Sequence, residues 1–466
     1  MHTSTTSTNP LMPWSADELA DVTQGTWYQG KQPADHIQRI VTNSRDAVAG
    51  DAFLALKGER FDAHQFLDQV FAQGVQVAIV SQAREDLDLY QLVVANPRLA
   101  LGHLGAYRRK HCTDLKVIAL TGSSGKTTTK EMLGSIFARL APTLVTRGNL
   151  NNDLGVPMML LELTHAHRYA IMELGANHQG EIDYTSSLVL PDVAGILNIG
   201  TAHLGEFGGR DGICTAKSEI YQHIQPNGYA IVPSDDDYAD QIASVTTHQR
   251  RISFGQGGDV FATNIQLYAT YSTFQVHTPS GETTIQLPFA GAHNIQNALA
   301  AVAFALALDV ALDDIALGLS HAVAAKGRLN FIKHKQHLFI DDTYNANPTS
   351  MLAAAHVLLQ QDGIHVMVMG DIGELGEAAF DEHRLLGQKL STLPIDYLIA
   401  VGDYAAAVRT GAGEIASVVA FDTQAQALPY LVNLIKTHQP QTMNFLFKGS
   451  RFTHMETLMA ELMETL

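Results

Sequence analysis

Residues 119–129 read ALTGSSGKTTT, an apolar run that breaks into glycine and serine, then a lysine and three threonines. Those residue types in that order suit a phosphate. Gly122 and Gly125 let the backbone approach an anion, and Lys126 opens a helix whose N-terminus carries partial positive charge. Thr127 adds a hydroxyl of the kind that ligates magnesium. The general phosphate-loop pattern has a further glycine where this chain has Leu120, which leaves the shortened form G-x-x-G-K-T. An ordinary turn would also match so short a pattern, but a place between strand-like and helix-like text favours a nucleotide site.

Phosphates held this way need a divalent metal, and Mg²⁺ prefers oxygen ligands. Glu173 ends the apolar run YAIMELG, where a carboxylate would face a crevice; the plainer reading is a solvated strand-end charge. His203, in TAHLGEFGG, occupies the same topological position, although a histidine there is more often a surface or hydrogen-bonding residue. Lys217, in TAKSEI, reads by default as a solvated helix lysine. At the far end, Lys448, Ser450 and Arg451 in KGSR follow the strand-like MNFLF; Arg451 suits a planar carboxylate, and a surface pair of basic residues is the simpler alternative.

These residues must be carried by elements whose ends converge. From Val41 to Ser81 the text runs strand, helix, strand: DAFLAL, then AHQFLDQVFAQG with Phe66, Leu67, Val70 and Phe71 at helical spacing, then VQVAIVS. Near residue 110 the basic RRKH precedes the strand LKVIAL. YAIMELGA, VAGILNIG and GYAIVPSD then read as buried parallel strands ending at small or polar residues. Between 260 and 290 the pattern becomes a β-hairpin turning at TPSG, and the alanine-rich helix NALAAVAFALAL follows. HLFIDD, HVMVMGD, YLIAVGD and MNFLFKG form a further set of strands from about residue 320. In such sheets the working residues lie at the carboxyl ends of the strands. The methionine-rich face of the last helix, from Met455 to Leu466, is expected to pack into a core.

The chain has 466 residues, 46% hydrophobic and 17% charged, enough for roughly three packed domains. The expected fold class is α/β in three domains: a small α/β domain over 1–110, a central phosphate-loop domain with a mainly parallel sheet and a β-hairpin region over 111–320, and a Rossmann-like domain over 321–466. A net charge of −17 argues against nucleic acid or anionic lipid as a partner. Cys112 and Cys214 match neither a zinc spacing nor a disulfide framework. The start MHTSTTSTNPLMPWS lacks the basic and apolar regions of a signal peptide, and nowhere are there about 18 consecutive apolar residues, so we expect a cytoplasmic protein without membrane insertion. Residues 1 to about 25 carry no interpretable signal.

Taken together, TGSSGKTTTKEM, RGNLNNDLGVP, MELGANHQGEI, NIGTAHLGEFG and AKSEI resemble, in order, the ATPase domain of the Mur ligases, which build the peptide stem of peptidoglycan. HNIQNALAA, KGRLN, DDTYNANPTSM and FKGSRFTHME are similar to the branch of that family that adds D-alanyl-D-alanine to a UDP-N-acetylmuramoyl-tripeptide. The resemblance runs from about residue 41 to the C-terminus, and the family uses the shortened loop.

The resemblance implies ATP, two Mg²⁺ ions and a lysine carbamate formed from CO₂ on Lys217, which requires a neutral amine and hence a depressed pKa. It implies ATP phosphates on Gly122, Ser123, Ser124, Gly125, Lys126, Thr127 and Thr128. Thr127, Glu173, His203 and Lys217 are the implied metal-site residues, with Lys126, Lys217 and His203 serving the chemistry. His293, Asn294 and Asn297 are expected against the adenine, with helix capping by Asn294 as the alternative. Arg328 and Asp342 are expected to reach ATP phosphate and ribose. For the nucleotide-sugar substrate the implied residues are Ser44, Arg45, Asn151 and Asn152, and for the incoming dipeptide Asn345, Asn347, Lys448, Ser450 and Arg451. The expected partners are these small molecules alone, and the expected state is a monomer. Within the family the ligase that adds the third stem residue is the nearest rival; folylpolyglutamate synthetase fits the later motifs less well. An ATP-hydrolysing switch is the alternative from another class.

Overall fold

The computed structural model describes residues 12–58, 61–201, 204–247, 250–413 and 417–466. Three of its four sheets are mainly parallel. In the first, the strands run in the order Thr26–Trp27, Tyr90–Val93, Val77–Val80, Asp51–Leu54, Arg39–Val41. Only Thr26–Trp27 pairs antiparallel. Asp51–Leu54 and Val77–Val80 are buried at every position, as strands covered on both faces of a parallel sheet are.

Six parallel strands make the second sheet, in the order Arg250–Phe254, Tyr229–Pro233, Val193–Ile196, Lys116–Thr121, Tyr169–Glu173, Thr143–Val145. Lys116–Thr121 lies at its centre and feeds the helix Lys126–Phe137 through the glycine loop. The alanine-rich helix Ala292–Leu306 packs on the same core, where Ile118, Leu133, Ile171 and Phe304 are fully buried. A separate antiparallel sheet follows the order Phe261–Leu267, Ser272–Thr278, Gly281–Leu287. The hairpin read from TPSG is its last two strands; the first, with its outward positions exposed over most of its length, has the weaker alternation and was not distinguished in the sequence.

The C-terminal sheet runs in the order Asn330–His334, His337–Asp342, Met443–Lys448, Ile364–Gly370, Tyr397–Val401, Val418–Phe421. Its edge strand Asn330–His334, absent from the sequence reading, pairs antiparallel with His337–Asp342. The final helix, Met455–Thr465, buries Met455, Leu458, Met459 and Leu462 against Phe445 and Phe447.

The basic stretch near residue 110 closes the helix Pro97–His111. Arg109 Nε donates to the Val189 carbonyl at 2.9 Å and its Nη2 to that of Leu190 at 3.0 Å. Gly105 of that helix lies against Pro157 so closely that a Cβ would need it to shift. This helix therefore ties the first sheet to the second. No helix among the described residues is long and apolar enough to cross a membrane.

Candidate active site

The glycine loop is held by its neighbour strand. Beyond Val193–Ile196, Asn198 accepts from Ser124 N at 3.0 Å and Ser124 Oγ at 3.2 Å through its Oδ1, and its Nδ2 donates to the Ser124 carbonyl at 3.1 Å. Ser123 Oγ accepts from Gly200 N at 2.9 Å. Gly122 is pressed against Leu197, and Gly125, at φ 78°, against the amide of Asn297, so side chains at either would displace the loop. Asn198 escaped the sequence reading, although a polar residue just past the carboxyl end of a parallel strand is a signal that points to it.

Lys126 Nζ folds back onto the Gly122 carbonyl at 2.7 Å. Thr127 Oγ1 donates to Glu173 Oε2 at 3.3 Å, and Asn151 Nδ2 donates to Glu173 Oε1 at 2.8 Å. Glu173 is 2% exposed, not a solvated strand end. Its backbone N–H is received by Thr146 Oγ1 at 3.0 Å, and the Thr146 carbonyl accepts from the buried Lys130 Nζ at 2.7 Å. The helix Lys126–Phe137 thus carries Lys126, Thr127 and Lys130 towards one strand end and fixes the carboxylate there.

Lys217, in the helix Arg210–Ser218, is 2% exposed and lines the same cleft. Burial pushes its ammonium well below the ordinary lysine value, and the nearby Lys126 adds to the shift. Burial lowers Lys126 as well; Glu173 and Glu374 oppose that and Arg328 reinforces it. His203 lies outside the described residues.

The cleft has a volume of about 950 Å³, and its opposite wall comes from the C-terminal sheet and the segment leading to it. Arg328 lies over the ring of Tyr344, 4.4 Å from its centroid. Asp342 and Lys448 are facing partners at the ends of adjacent parallel strands. Lys448 Nζ donates to Asp342 Oδ2 at 2.6 Å and to the Asn345 carbonyl at 3.0 Å, while Asp342 Oδ1 accepts from Leu329 N at 3.2 Å. Lys448 is accordingly a buried strut, not a surface basic residue. Asn347 caps the helix Pro348–Leu358 in a capping box with Ser350. Ser450 Oγ accepts from Gly373 N at 2.9 Å, and Arg451 pairs with Glu456 at 2.7 Å.

Asn294 does not cap its helix; the cap position is Gly291. Asn294 Nδ2 donates to the Ala290 carbonyl at 2.8 Å and its Oδ1 accepts from Asn297 Nδ2 at 3.0 Å. His293, on the cleft wall, is pushed down to about 4 by burial, with Asp342 opposing. Thr128, Asn152 and Asn345 also line the cleft. Ser44 and Arg45 do not: they sit past the strand Arg39–Val41 of the first sheet, Ser44 buried with Oγ 3.5 Å from Gln69 Oε1 and Arg45 exposed. Asp236, whose Oδ2 accepts from Ile199 N at 2.8 Å, is a further cleft residue that the sequence reading passed over.

Two sequence models match the chain: the Mur ligase middle domain over residues 120–305 and the Mur ligase glutamate ligase domain over 327–451. The UDP-N-acetylmuramoyl-tripeptide--D-alanyl-D-alanine ligase of Haemophilus influenzae is 41% identical over 433 residues, 91% of this chain and 93% of that protein. A crystal structure of MurF from Acinetobacter baumannii superposes with a TM-score of 0.95 at 67% identity, covering 98% of this chain and all of that one. MurF ligase from Thermotoga maritima, in complex with ADP, gives a TM-score of 0.81 at 27% identity, with 92% and 97% covered. Matched by relatives of this identity over nearly its whole length, this chain belongs to the Mur ligase family.

Proposed function

We propose that the chain is an ATP-dependent, ADP-forming ligase that joins D-alanyl-D-alanine to UDP-N-acetylmuramoyl-tripeptide in peptidoglycan precursor synthesis. One observation carries the reading: the phosphate loop, the Thr127–Glu173 pair and Lys217 open onto the same cleft as Arg328, Asp342 and Lys448 of the C-terminal sheet. That is the layout a two-step amide synthesis needs. The tripeptide carboxylate attacks the γ-phosphate of ATP, giving ADP and an acyl phosphate, and the dipeptide amine then attacks the acyl carbon as phosphate leaves. Gly122, Ser123, Ser124, Gly125 and Thr128 surround the phosphates, and Lys126 leaves the Gly122 carbonyl to meet charge developing on them. Arg328 reaches phosphate and Asp342 the ribose, with His293, Asn294 and Asn297 beside the adenine. A neutral His293 presents one donor and one acceptor, as a purine edge requires.

The residues present fit magnesium. A hydroxyl and a carboxylate already face each other, both hard oxygen donors, and Thr127 and Glu173 would hold the ion. Among the described residues no group of three or more His, Cys, Asp or Glu could hold a metal, which suits an ion that takes its remaining ligands from phosphates and water. When bound it supplies neutralisation of phosphate charge. A second ion with His203, and a carbamate on Lys217, belong to this proposal as well. What supports the carbamate is that Lys217 is buried beside another cation, with no hydrogen bond or ion pair at its Nζ among the described residues. Labelled bicarbonate with carbon-13 detection tests it; a carbamate signal is expected in the native protein and none in Lys217→Ala.

The domain division 1–110, 111–320 and 321–466 assigns the UDP-sugar to the first unit through Ser44 and Arg45, with Asn151 and Asn152 at the muramoyl part. The dipeptide falls to Asn345, Asn347, Ser450 and Arg451. We also infer a cytoplasmic monomer. The deciding assay is phosphate release from ATP with Mg²⁺, with and without both acceptors, followed by the product's mass. Release that requires both acceptors and a product heavier by one dipeptide is expected; equal hydrolysis without them would favour a nucleotide switch.

A further inference from the structure

His383 is fully buried and does not line the cleft, and none of the roles above uses it. It belongs to the helix Ala379–Ser391. Its Nδ1 lies 2.6 Å from the Ala379 carbonyl, which can only accept, and its Nε2 lies 2.9 Å from Ile372 N, which can only donate. The ring is therefore neutral, with its proton on Nδ1 and the lone pair of Nε2 given to one backbone amide. One face of the ring stacks on Tyr404, with centroids 4.7 Å apart. Ile372 in turn belongs to the segment 371–376, which leaves the carboxyl end of the strand Ile364–Gly370 and brings Gly373, Glu374 and Leu375 to the cleft. Along 371–373 the backbone is bonded to Ser450, to His383 and to Ser450 again: Ser450 N donates to the Asp371 carbonyl at 3.0 Å, Ile372 N to His383, and Gly373 N to Ser450 Oγ at 2.9 Å. The Asp371 carboxylate accepts from Asp403 N at 2.8 Å and Tyr404 N at 3.1 Å, just past the strand Tyr397–Val401. Loops at the ends of three neighbouring strands are thus tied together beside one imidazole.

We propose that His383 is a positioning residue for the incoming dipeptide: it holds Ile372 and, through the bonds of Asp371 and Gly373 on either side, sets where Ser450 and Arg451 stand in the cleft. The role rests on the ligase reading above, which gives those two residues to the dipeptide. The segment needs an outside hold. Glu374 adopts φ 63°, a left-handed backbone that a glutamate occupies only where its surroundings impose it. Without the Nε2 acceptor, Ile372 N would be a buried donor with no partner, and the segment relieves that cost by turning the amide out. Gly373 then leaves Ser450 Oγ, and the strand end that carries Arg451 loses its neighbour. The phosphate loop and Arg328 lie on other segments, so the nucleotide is not affected. The coupling runs both ways: a dipeptide that binds only the ordered segment must protect that segment by the factor that His383 adds to its affinity.

The test compares the native protein with His383→Asn and His383→Gln. Asn keeps an amide donor near the Nδ1 position and loses the Nε2 acceptor, whereas Gln keeps an acceptor near the Nε2 position. KM is measured for ATP, UDP-N-acetylmuramoyl-tripeptide and D-alanyl-D-alanine, together with the melting temperature. His383→Asn should raise KM for the dipeptide by about three- to tenfold, the range of one buried hydrogen bond, and leave the other two KM values unchanged. His383→Gln should restore most of that loss, although both variants give up the stacked ring and melt lower. In the native protein, with UDP-N-acetylmuramoyl-tripeptide and a non-hydrolysable ATP analogue present, hydrogen exchange over 371–376 should slow by a similar factor on saturation with D-alanyl-D-alanine. A dipeptide KM unmoved by His383→Asn, an equal rise in all three KM values, equal losses with Asn and Gln, or exchange over 371–376 slowed no more than at the phosphate loop would overturn the proposal. The exchange measurement decides even if both variants fail to fold. A native protein that does not turn over with D-alanyl-D-alanine would instead refute the ligase reading.

Discussion

Lys217 on the middle wall of the cleft and Lys448 on the C-terminal wall are 2% and 1% exposed, and in both burial disfavours the ammonium. Their surroundings differ. Lys448 has a carboxylate at 2.6 Å and a carbonyl at 3.0 Å, so its charge is compensated and it joins two strand ends. Lys217 has no such partner among the described residues and has Lys126 as a near cation. The same side chain is a strut where burial is matched by an anion and an amine whose charged form is disfavoured where it is not.

The largest effect should come from the loop that both walls serve. Lys126→Ala is expected to lower turnover by about 10⁴-fold with an unchanged melting curve, because it removes charge felt only as phosphoryl transfer proceeds. Phosphate release and thermal melting read the two halves of that statement. Next, Lys448→Met strands the buried Asp342 carboxylate and should cost about 3–5 kcal/mol in denaturant unfolding. A loss below 1 kcal/mol would break the contrast between the lysines.

Lys217→Met should do the reverse, stabilising the fold by about 1–2 kcal/mol in CO₂-free buffer at pH 7 by removing the cost of burying an amine with no opposite charge beside it. The pH dependence sharpens this. Lys217 has a folded value below its unfolded one, so between the two the unfolded chain binds more protons and native stability rises with pH. The gain from Met is therefore full below the folded value, shrinks as pH rises, and is gone above about 10.4. A gain independent of pH would assign it to packing. The smallest effect is expected from Ser123→Ala, which deprives Gly200 N of its acceptor and should cost about 1 kcal/mol in the same unfolding measurement.

Much of this site was legible before folding. The runs at 117–120, 170–172, 193–196 and 230–233 are apolar throughout, as parallel strands covered on both faces are. Polar residues follow them, and those at 173, 198 and 236 line the cleft, although only Glu173 was singled out. The edge strand Asn330–His334 and the outer strand Phe261–Leu267 were harder to see, because a half-exposed edge needs no regular alternation.

Some assignments needed three dimensions. Asn294 is as good a helix cap as any by residue type, and only the backbone shows that the cap lies three residues earlier, at Gly291, and that the amide turns back to Ala290. Ser44 and Arg45 lie outside the described lining of the cleft, and no spacing in the chain conveys that.

The order of motifs along the chain by itself determined the family, the phosphate loop and the strand ends where chemistry collects, because loop composition and apolar periodicity are local properties. What only the tertiary structure decided is which charges are paired. Lys217 and Lys448 are equivalent letters in a sequence. One becomes a candidate reactive amine and the other a strut because desolvation and the distance to an opposite charge are set by residues more than a hundred positions away, Asp342 for Lys448, and by how two walls close on one cleft.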